Sequence, residues 1–353
     1  MAIGGGGVRG AFSAACLAEM QQKRLSLATA DSIAGVSVGC LIGAIIATDS
    51  KMQPILTTLQ NADVAEHHST LVNLFHTMQV YKGQRESMFS IKSLKDFVTQ
   101  FVGFKPVKCK QFTAVAGKAK ELEQYGFVFN QNQFIDIEAL MASCAIVGAY
   151  PAVQLLDENN KQARFIDGGF SHAFPMQFIE NYMNNNSAKT LTLFAAKPWM
   201  GNIPDLEWSK YSVKNMSIRL FRRYWYSLTK LDHMRLFDIL KIPHDMVEDG
   251  CFAAVLKLKD GKWDFHSTVN VNTTNFTMPS EQTKVIFFCA PLGKHFLKYE
   301  TMNLAQHPEE RLPGFLYSVE KGKRACLVMQ KLYTTIFSQQ QAENGRESSS
   351  LIF

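Results

Sequence analysis

The sequence predicts an α/β protein built on a mainly parallel central sheet, and three observations predict it. A strand, a glycine loop, a helix and a second strand follow one another between Ala2 and Ser37. The second strand ends at a serine between two glycines and passes directly into the small-residue helical run Cys40–Ala47. Further apolar runs of strand length, notably Phe112–Ala116 and Leu191–Ala195, alternate with helical patterns.

Ala2 begins a stub of strand that leads into Gly4-Gly5-Gly6-Gly7-Val8-Arg9-Gly10. The next helix buries Ala11, Ala14, Ala15, Leu17, Ala18 and Met20 and closes at Lys23 and Arg24, where positive charge suits the helix dipole. Asp31 starts the strand that reaches Ser37, so the two strands form a βαβ unit and should be parallel neighbours. Residues 52–103 read as mainly helical, with a stripe of Leu71, Leu74, Phe75 and Met78 and a break at Tyr81-Lys82-Gly83. A helix over Ser87–Phe101 turns Ile91, Leu94, Phe97, Val98 and Phe101 inward. Phe112–Ala116 and Tyr125–Phe129 read as a strand pair around polar Gly117–Gln124, and Ile135–Met141 as a helix that enters the small-residue stretch Ala142–Pro151. Ala163–Ile166 is a strand ending at Asp167-Gly168-Gly169, and Leu191–Ala195 is one more parallel core strand. Val255–Phe265, Val269–Met278 and Val285–Ala290 are read as three strands, Ala325–Phe337 as a final helix, and Asn344–Ser350 as a polar tail.

Composition bounds the function. The 353 residues are 46 % hydrophobic and 19 % charged, which is globular. A net charge of +6 with no Lys/Arg-rich run or basic-aromatic motif of known type argues against nucleic acid as a partner. Seven cysteines, without C-x-x-C spacing, suit buried thiols in a reducing compartment, as at Cys16, Cys40 and Cys144. No apolar h-region of a secretory signal is evident near the start, and the longest apolar run is too short to span a bilayer. The adjacent His67-His68 pair reads as a solvated loop, because neighbouring residues do not face one metal. Residues 211–241 mix aromatic and basic side chains. They read either as helix with a solvated basic face or as a membrane-facing surface.

The chemistry gathers at three places. Gly35-Val36-Ser37-Val38-Gly39 matches the strained nucleophile elbow G-x-S-x-G, in which near-naked neighbours let the backbone turn sharply and lift a hydroxyl out. Gly5, Gly7 and Gly10 also satisfy G-x-G-x-x-G, but the acid such a dinucleotide site needs should end the second strand, and Ser37 is there instead of Asp31. The same glycine amides make an anion site at a helix start, one strand from the serine, where acyl transfer needs an oxyanion hole. A serine needs a base. Asp167 at its strand end is one candidate, with Ile166 and Phe170 to raise its pKa by burial, and His172 in a Ser-His-Asp set is the other.

Taken in order, Gly5-Gly6-Gly7-Val8-Arg9-Gly10, Gly35-Val36-Ser37-Val38-Gly39, Ala142-Ser143-Cys144-Ala145 through Pro151, and Asp167-Gly168-Gly169 resemble the patatin-like phospholipases over roughly residues 1–200. The chain departs from that pattern in its short first strand and in Val147-Gly148, where the family often has proline. The resemblance implies a three-layer sandwich with a C-terminal α+β extension, divided here as a catalytic domain over 1–204 and an extension over 205–353. It implies a lipid acyl hydrolase of phospholipase A or lysophospholipase type with a Ser37–Asp167 dyad. Gly5, Gly6 and Gly7 would hold the oxyanion, Arg9 would brace the loop or meet phosphate, and Gly35, Gly39, Gly168 and Gly169 would form the turns. No cofactor or metal is expected. A phospholipid membrane surface is the expected transient partner, and a protein activator, as in some bacterial patatin-like toxins, is a further one. The expected location is cytoplasmic and peripheral to membrane, or that of an exported effector acting in a host cell. Two other readings remain open: an acyltransferase or thioesterase on soluble thioesters, and a binding module with a vestigial site.

Overall fold

The computed structural model describes residues 1–23, 30–61, 87, 90–197, 227–246, 250–273, 276, 282–291 and 308–343. In chain order the elements are β1 (Ala2–Ile3), α1 (Ala11–Gln22), β2 (Ser32–Val36), α2 (Val38–Ala47), α3 (Met52–Asn61) and α4 (Lys92–Val102). They continue with β3 (Gln111–Lys118), β4 (Gln124–Asn130), α5 (Ile137–Ser143), β5 (Val153–Leu156), β6 (Gln162–Asp167), α6 (Met176–Asn184) and β7 (Thr190–Phe194). A helix over residues 227–239, α7, precedes β8 (Phe252–Lys259), β9 (Lys262–Val269), β10 (Thr283–Cys289) and the long α8 (Pro308–Glu343).

Ten strands form one sheet in the order β5-β6-β3-β2-β1-β7-β10-β8-β9, with β4 paired to β3 off this path. The five central strands β3, β2, β1, β7 and β10 are parallel, and the flanks are antiparallel. Strand alternation divides the core between two faces. Ile3, Ile33, Val285, Phe287 and Cys289 point to the layer of α1, α2, α3 and α8. Ala2, Leu191, Leu193, Ile286 and Phe288 point to the layer of α6 and α7. That is helix, sheet, helix: the three-layer expectation holds, and the C-terminal strands extend the same sheet. β1 lies parallel to β2 with Ala2 opposite Ala34, as the βαβ reading requires.

Four sequence readings need correction, the first being the final helix, expected over Ala325–Phe337 and spanning Pro308–Glu343. Val255–Phe265 is a hairpin and not one strand: Asp260 and Gly261 both take left-handed backbone, φ 50° and 75°, the type I′ turn that Asp-Gly favours. Of the expected strand at Val269–Met278, Val269 is the last residue of β9, the Asn270 carbonyl and side chain accept hydrogen bonds from the Thr273 and Asn272 amides and turn the chain, and residues 274, 275, 277 and 278 lie outside the described residues. β5 was missed altogether. It pairs with β6 across a turn held by Asp157 Oδ1, which accepts from the Asn159 and Lys161 amides at 2.9 Å each. The expected apolar stripe at 71–78, the His67-His68 pair and most of the aromatic-basic segment before residue 227 lie outside the described residues.

The seven cysteines are free thiols, with Cys16, Cys40 and Cys144 buried. Among the described residues no helix is long and apolar enough to cross a membrane. None of their His, Cys, Asp and Glu side chains group in threes that could hold a metal ion.

Candidate active site

The site exists because two strands meet end to end along one edge of β3. β2 runs parallel to β3 and stops with Val36 opposite Val115. β6 runs the other way along the same edge and stops with Asp167 opposite Ala116, one position further on. The other edge of β3 is taken by β4 from Gln111 to Gly117. The residue that follows β2 and the residue that ends β6 are therefore forced together. They are Ser37 and Asp167, and Ser37 Oγ donates to Asp167 Oδ2 at 2.5 Å.

Ser37 holds φ 55° and ψ −129°, a strained backbone for a non-glycine residue. The turn closes only because its neighbours have no side chain. A Cβ on Gly35 would stand 2.2 Å from the Gly39 carbonyl oxygen, and one on Gly39 2.4 Å from that of Ile3. The Ser37 amide donates to Ser143 Oγ at 2.9 Å, and Ser143 Oγ donates to the Val115 carbonyl at 2.6 Å. Ser143 thus ties the elbow to β3. The sequence reading took its block as small residues for close approach and overlooked the hydroxyl.

Asp167 is 4 % exposed, and burial raises its carboxyl to about 6, against the opposing pull of hydrogen bonds from Ser37 and from the Gly169 amide. The Gly169 amide donates to Oδ1 at 2.7 Å, so each carboxylate oxygen has one donor. Gly168 passes so near the Val115 carbonyl that a Cβ would lie 2.6 Å from its oxygen. Cys40 and Cys144, close by, are no rivals as nucleophiles: burial pushes the first up to about 12 and the second well above its ordinary value.

The glycine loop sits beside the elbow. A Cβ on Gly5 would be 3.1 Å from Ser37 Cβ, and one on Gly6 2.5 Å from Ala196 Cβ. Gly7 takes φ 56° and opens a short 3-10 turn, Gly7–Gly10, in which Arg9 is buried and its amide donates to the Gly6 carbonyl. The Gly5 amide was expected in the oxyanion hole, but it donates to the Ala173 carbonyl at 2.8 Å. Among the described residues no acceptor takes the amides of Gly6 and Gly7, which line the same cleft as Ser37.

That cleft has a volume of about 50 Å³ and is bounded further by Ile146, Phe170, Lys197, Leu228, Thr229 and Asp232. Lys197, just past the end of β7, is buried and donates to Thr229 Oγ1 on α7 at 2.8 Å. His172 is engaged by α7 and not by Ser37: its Nδ1 is 2.8 Å from Asp232 Oδ1 and its Nε2 3.0 Å from Arg235 Nη1. The Ser-His-Asp alternative therefore lacks its geometry. Lys197, Thr229 and Asp232 carried no sequence signal, since nothing local to them marks which side of the sheet they face.

A serine on a strained elbow, a buried carboxylate in contact with it and two unoccupied amides suit acyl transfer through a covalent serine ester. A family model described as Patatin-like phospholipase matches residues 1–178, half of the chain. No curated protein matches it.

Proposed function

The chain belongs to the patatin-like phospholipase family of lipid acyl hydrolases, and on that premise we propose that it cleaves ester bonds of phospholipids or lysophospholipids with Ser37 as nucleophile and Asp167 as base. The observation that carries this reading is the 2.5 Å hydrogen bond from Ser37 Oγ to Asp167 Oδ2 beside the glycine loop. Ser37 Oγ attacks the ester carbonyl while its proton passes to Asp167, and the carbonyl oxygen becomes an oxyanion facing the Gly6 and Gly7 amides. The intermediate collapses with cleavage of the ester C–O bond, and Asp167 returns the proton to the departing alcohol. Water, deprotonated by Asp167, then attacks the acyl-serine and releases the fatty acid, and the proton goes back to Ser37. A carboxyl near 6 is mostly ionised above pH 7 and so available as base.

The small cleft supports presentation of substrate from a lipid surface. Its ~50 Å³ would take the ester and not the chains, whereas sites that enclose a whole ligand run about 300–1,000 Å³. Val147, Phe170 and Leu231, large apolar side chains at or beside cleft-lining positions, are exposed. We place the protein peripherally on a phospholipid membrane, with activation by a protein partner as a further expectation.

The test is fatty acid release from phospholipid and lysophospholipid vesicles, with EDTA present, with and without cell extract. Ser37→Ala and Asp167→Asn, each folded, should lose at least about 1,000-fold in kcat. Near-wild-type release by either would refute the dyad. Turnover of acyl-CoA with none of vesicles would move the substrate to soluble thioesters.

A further inference from the structure

We infer that Asp232, on α7 and beyond the residues matched by the family model, is a positioning residue that holds the glycine loop in register with the nucleophile. The inference rests on the reaction proposed above.

The Asp232 carboxylate spans two consecutive residues of the segment that follows the catalytic aspartate. Oδ2 accepts the Ala173 amide at 2.9 Å, and Oδ1 lies 2.8 Å from His172 Nδ1. The His172 ring is oriented from its other side by Arg235, 3.0 Å from Nε2. A guanidinium can only donate, so Nε2 is the acceptor and Nδ1 carries the hydrogen that Asp232 accepts. His172 is thus a strut between two α7 side chains.

Ala173 links α7 to the glycine loop. Its amide is held by Asp232, and its carbonyl accepts the Gly5 amide at 2.8 Å. Gly5 packs directly on Ser37, and the two residues after it present the unoccupied amides. The path from α7 to the oxyanion site is two hydrogen bonds with one residue between them. It also explains why the Gly5 amide is not itself in the hole: it anchors the loop. Asp232 borders the cleft, yet both its oxygens already accept hydrogen bonds, and Ser37 has its own base. It acts through Ala173 and not on substrate.

An oxyanion site binds the transition state and hardly the ground state, so misplacing the loop should lower kcat and leave KM. In Asp232→Asn the carboxamide offers one acceptor oxygen where two are needed, and its NH₂ opposes either the Ala173 amide or the His172 N–H. Asp232→Glu keeps the charge but moves it by one methylene. On a soluble short-chain ester, folded Asp232→Asn should lose about 10- to 100-fold in kcat, a fraction of what a lost donor costs, with KM within about 2-fold. The inhibition constant of butylboronic acid, whose tetrahedral serine adduct mimics the intermediate, should weaken by the same factor, and Asp232→Glu should fall between. A purely structural role would lower the amount of active enzyme without weakening the boronate.

Unchanged kcat and boronate affinity in a folded variant, or a loss confined to KM, would overturn the inference. So would failure of both variants to fold, since Asp232 would then bear on folding and not on loop register. Wild type and Ser37→Ala run in parallel separate the two readings. If Ser37→Ala turns over like wild type, the reaction itself is misassigned; if it is dead while the Asp232 variants match wild type, only the role of Asp232 falls.

Discussion

Burial of Asp167 suits the proposed reaction and costs stability, and both effects follow from one shifted carboxyl. Folded, it titrates near 6 instead of its ordinary 3.8, because the charged form is poorly solvated. Between those two values the native state holds a proton that the unfolded chain has released. The contribution of Asp167 to stability is therefore complete below about pH 3.8 and is lost as pH rises through 6. At pH 7.5 the buried charge costs up to about 3 kcal/mol, taking 1.36 kcal/mol per pKa unit. Asp167→Asn keeps the shape and an acceptor for the Gly169 amide but removes the charge. Urea titration at pH 7.5 should find the variant more stable than wild type, with the advantage gone at pH 4, although its activity is lost. In the wild-type enzyme log kcat should climb with pH up to about 6 and then level off, as the base ionises. A flat profile from pH 4.5 to 8 would mean that a group other than Asp167 takes the proton.

At the scale of elements, the glycine loop is held from two sides. From one face of the sheet, α7 grips it through Asp232 and Ala173. From the other, the helix that leaves the loop, α1, packs on α8. That contact is close: a Cβ on Gly322 of α8 would stand 2.2 Å from the Phe12 carbonyl oxygen and 2.9 Å from Ala15 Cβ. Backbone cannot yield as a flexible side chain can, so Gly322→Ala must push the two helices apart. Such overpacking costs about 1–3 kcal/mol. The expected result is a lower melting temperature and, because α1 continues straight from the glycine loop, a lower kcat on a soluble ester. An unchanged kcat at a temperature where the variant is fully folded would show that α1 does not transmit the strain to the loop.

At the scale of the molecule, strands from both sides of residue 204 share one sheet. β10 covers the edge of β7, from Thr190 opposite Val285 to Phe194 opposite Cys289, and β8 and β9 extend the sheet beyond it. Residues after 204 also supply α7 and α8, which cover both faces. Lys284 of β10 shows how the two parts are sewn together. It is fully buried, its ammonium donates to the Tyr182, Met183 and Asn185 carbonyls at the end of α6, and it lies over the Tyr182 and Trp263 rings. A fragment of residues 1–204 would leave the β7 edge unpaired and two apolar faces bare. It should be insoluble or aggregated on size exclusion, and a monomeric, active fragment would show that the catalytic part folds alone.

The elbow, the glycine loop, the acid at its strand end and the order in which they stand are all legible in the residues. Each is a local demand: a turn that excludes side chains, amides at a helix start, a carboxylate before two glycines. The parallel core strands were equally legible, because alternation and apolar runs are read over a few residues. The strand β5 and the length of α8 are not legible in the sequence, since short amphipathic strands and long helices owe their limits to what they pack against; the hairpin at Asp260-Gly261 is a local signal that the sequence does carry. What puts Asp167 and not His172 in contact with Ser37 is β6 ending against β2 along one edge of β3, a pairing over more than a hundred residues that no local pattern encodes. The fold likewise sets the hydrogen bond from the Gly5 amide to Ala173, and brings Ser143 to the elbow and Asp232 to His172 and Ala173 from elements far off in the chain. A hydrogen bond selects its partner by direction and distance in space, and sequence spacing carries neither across a sheet.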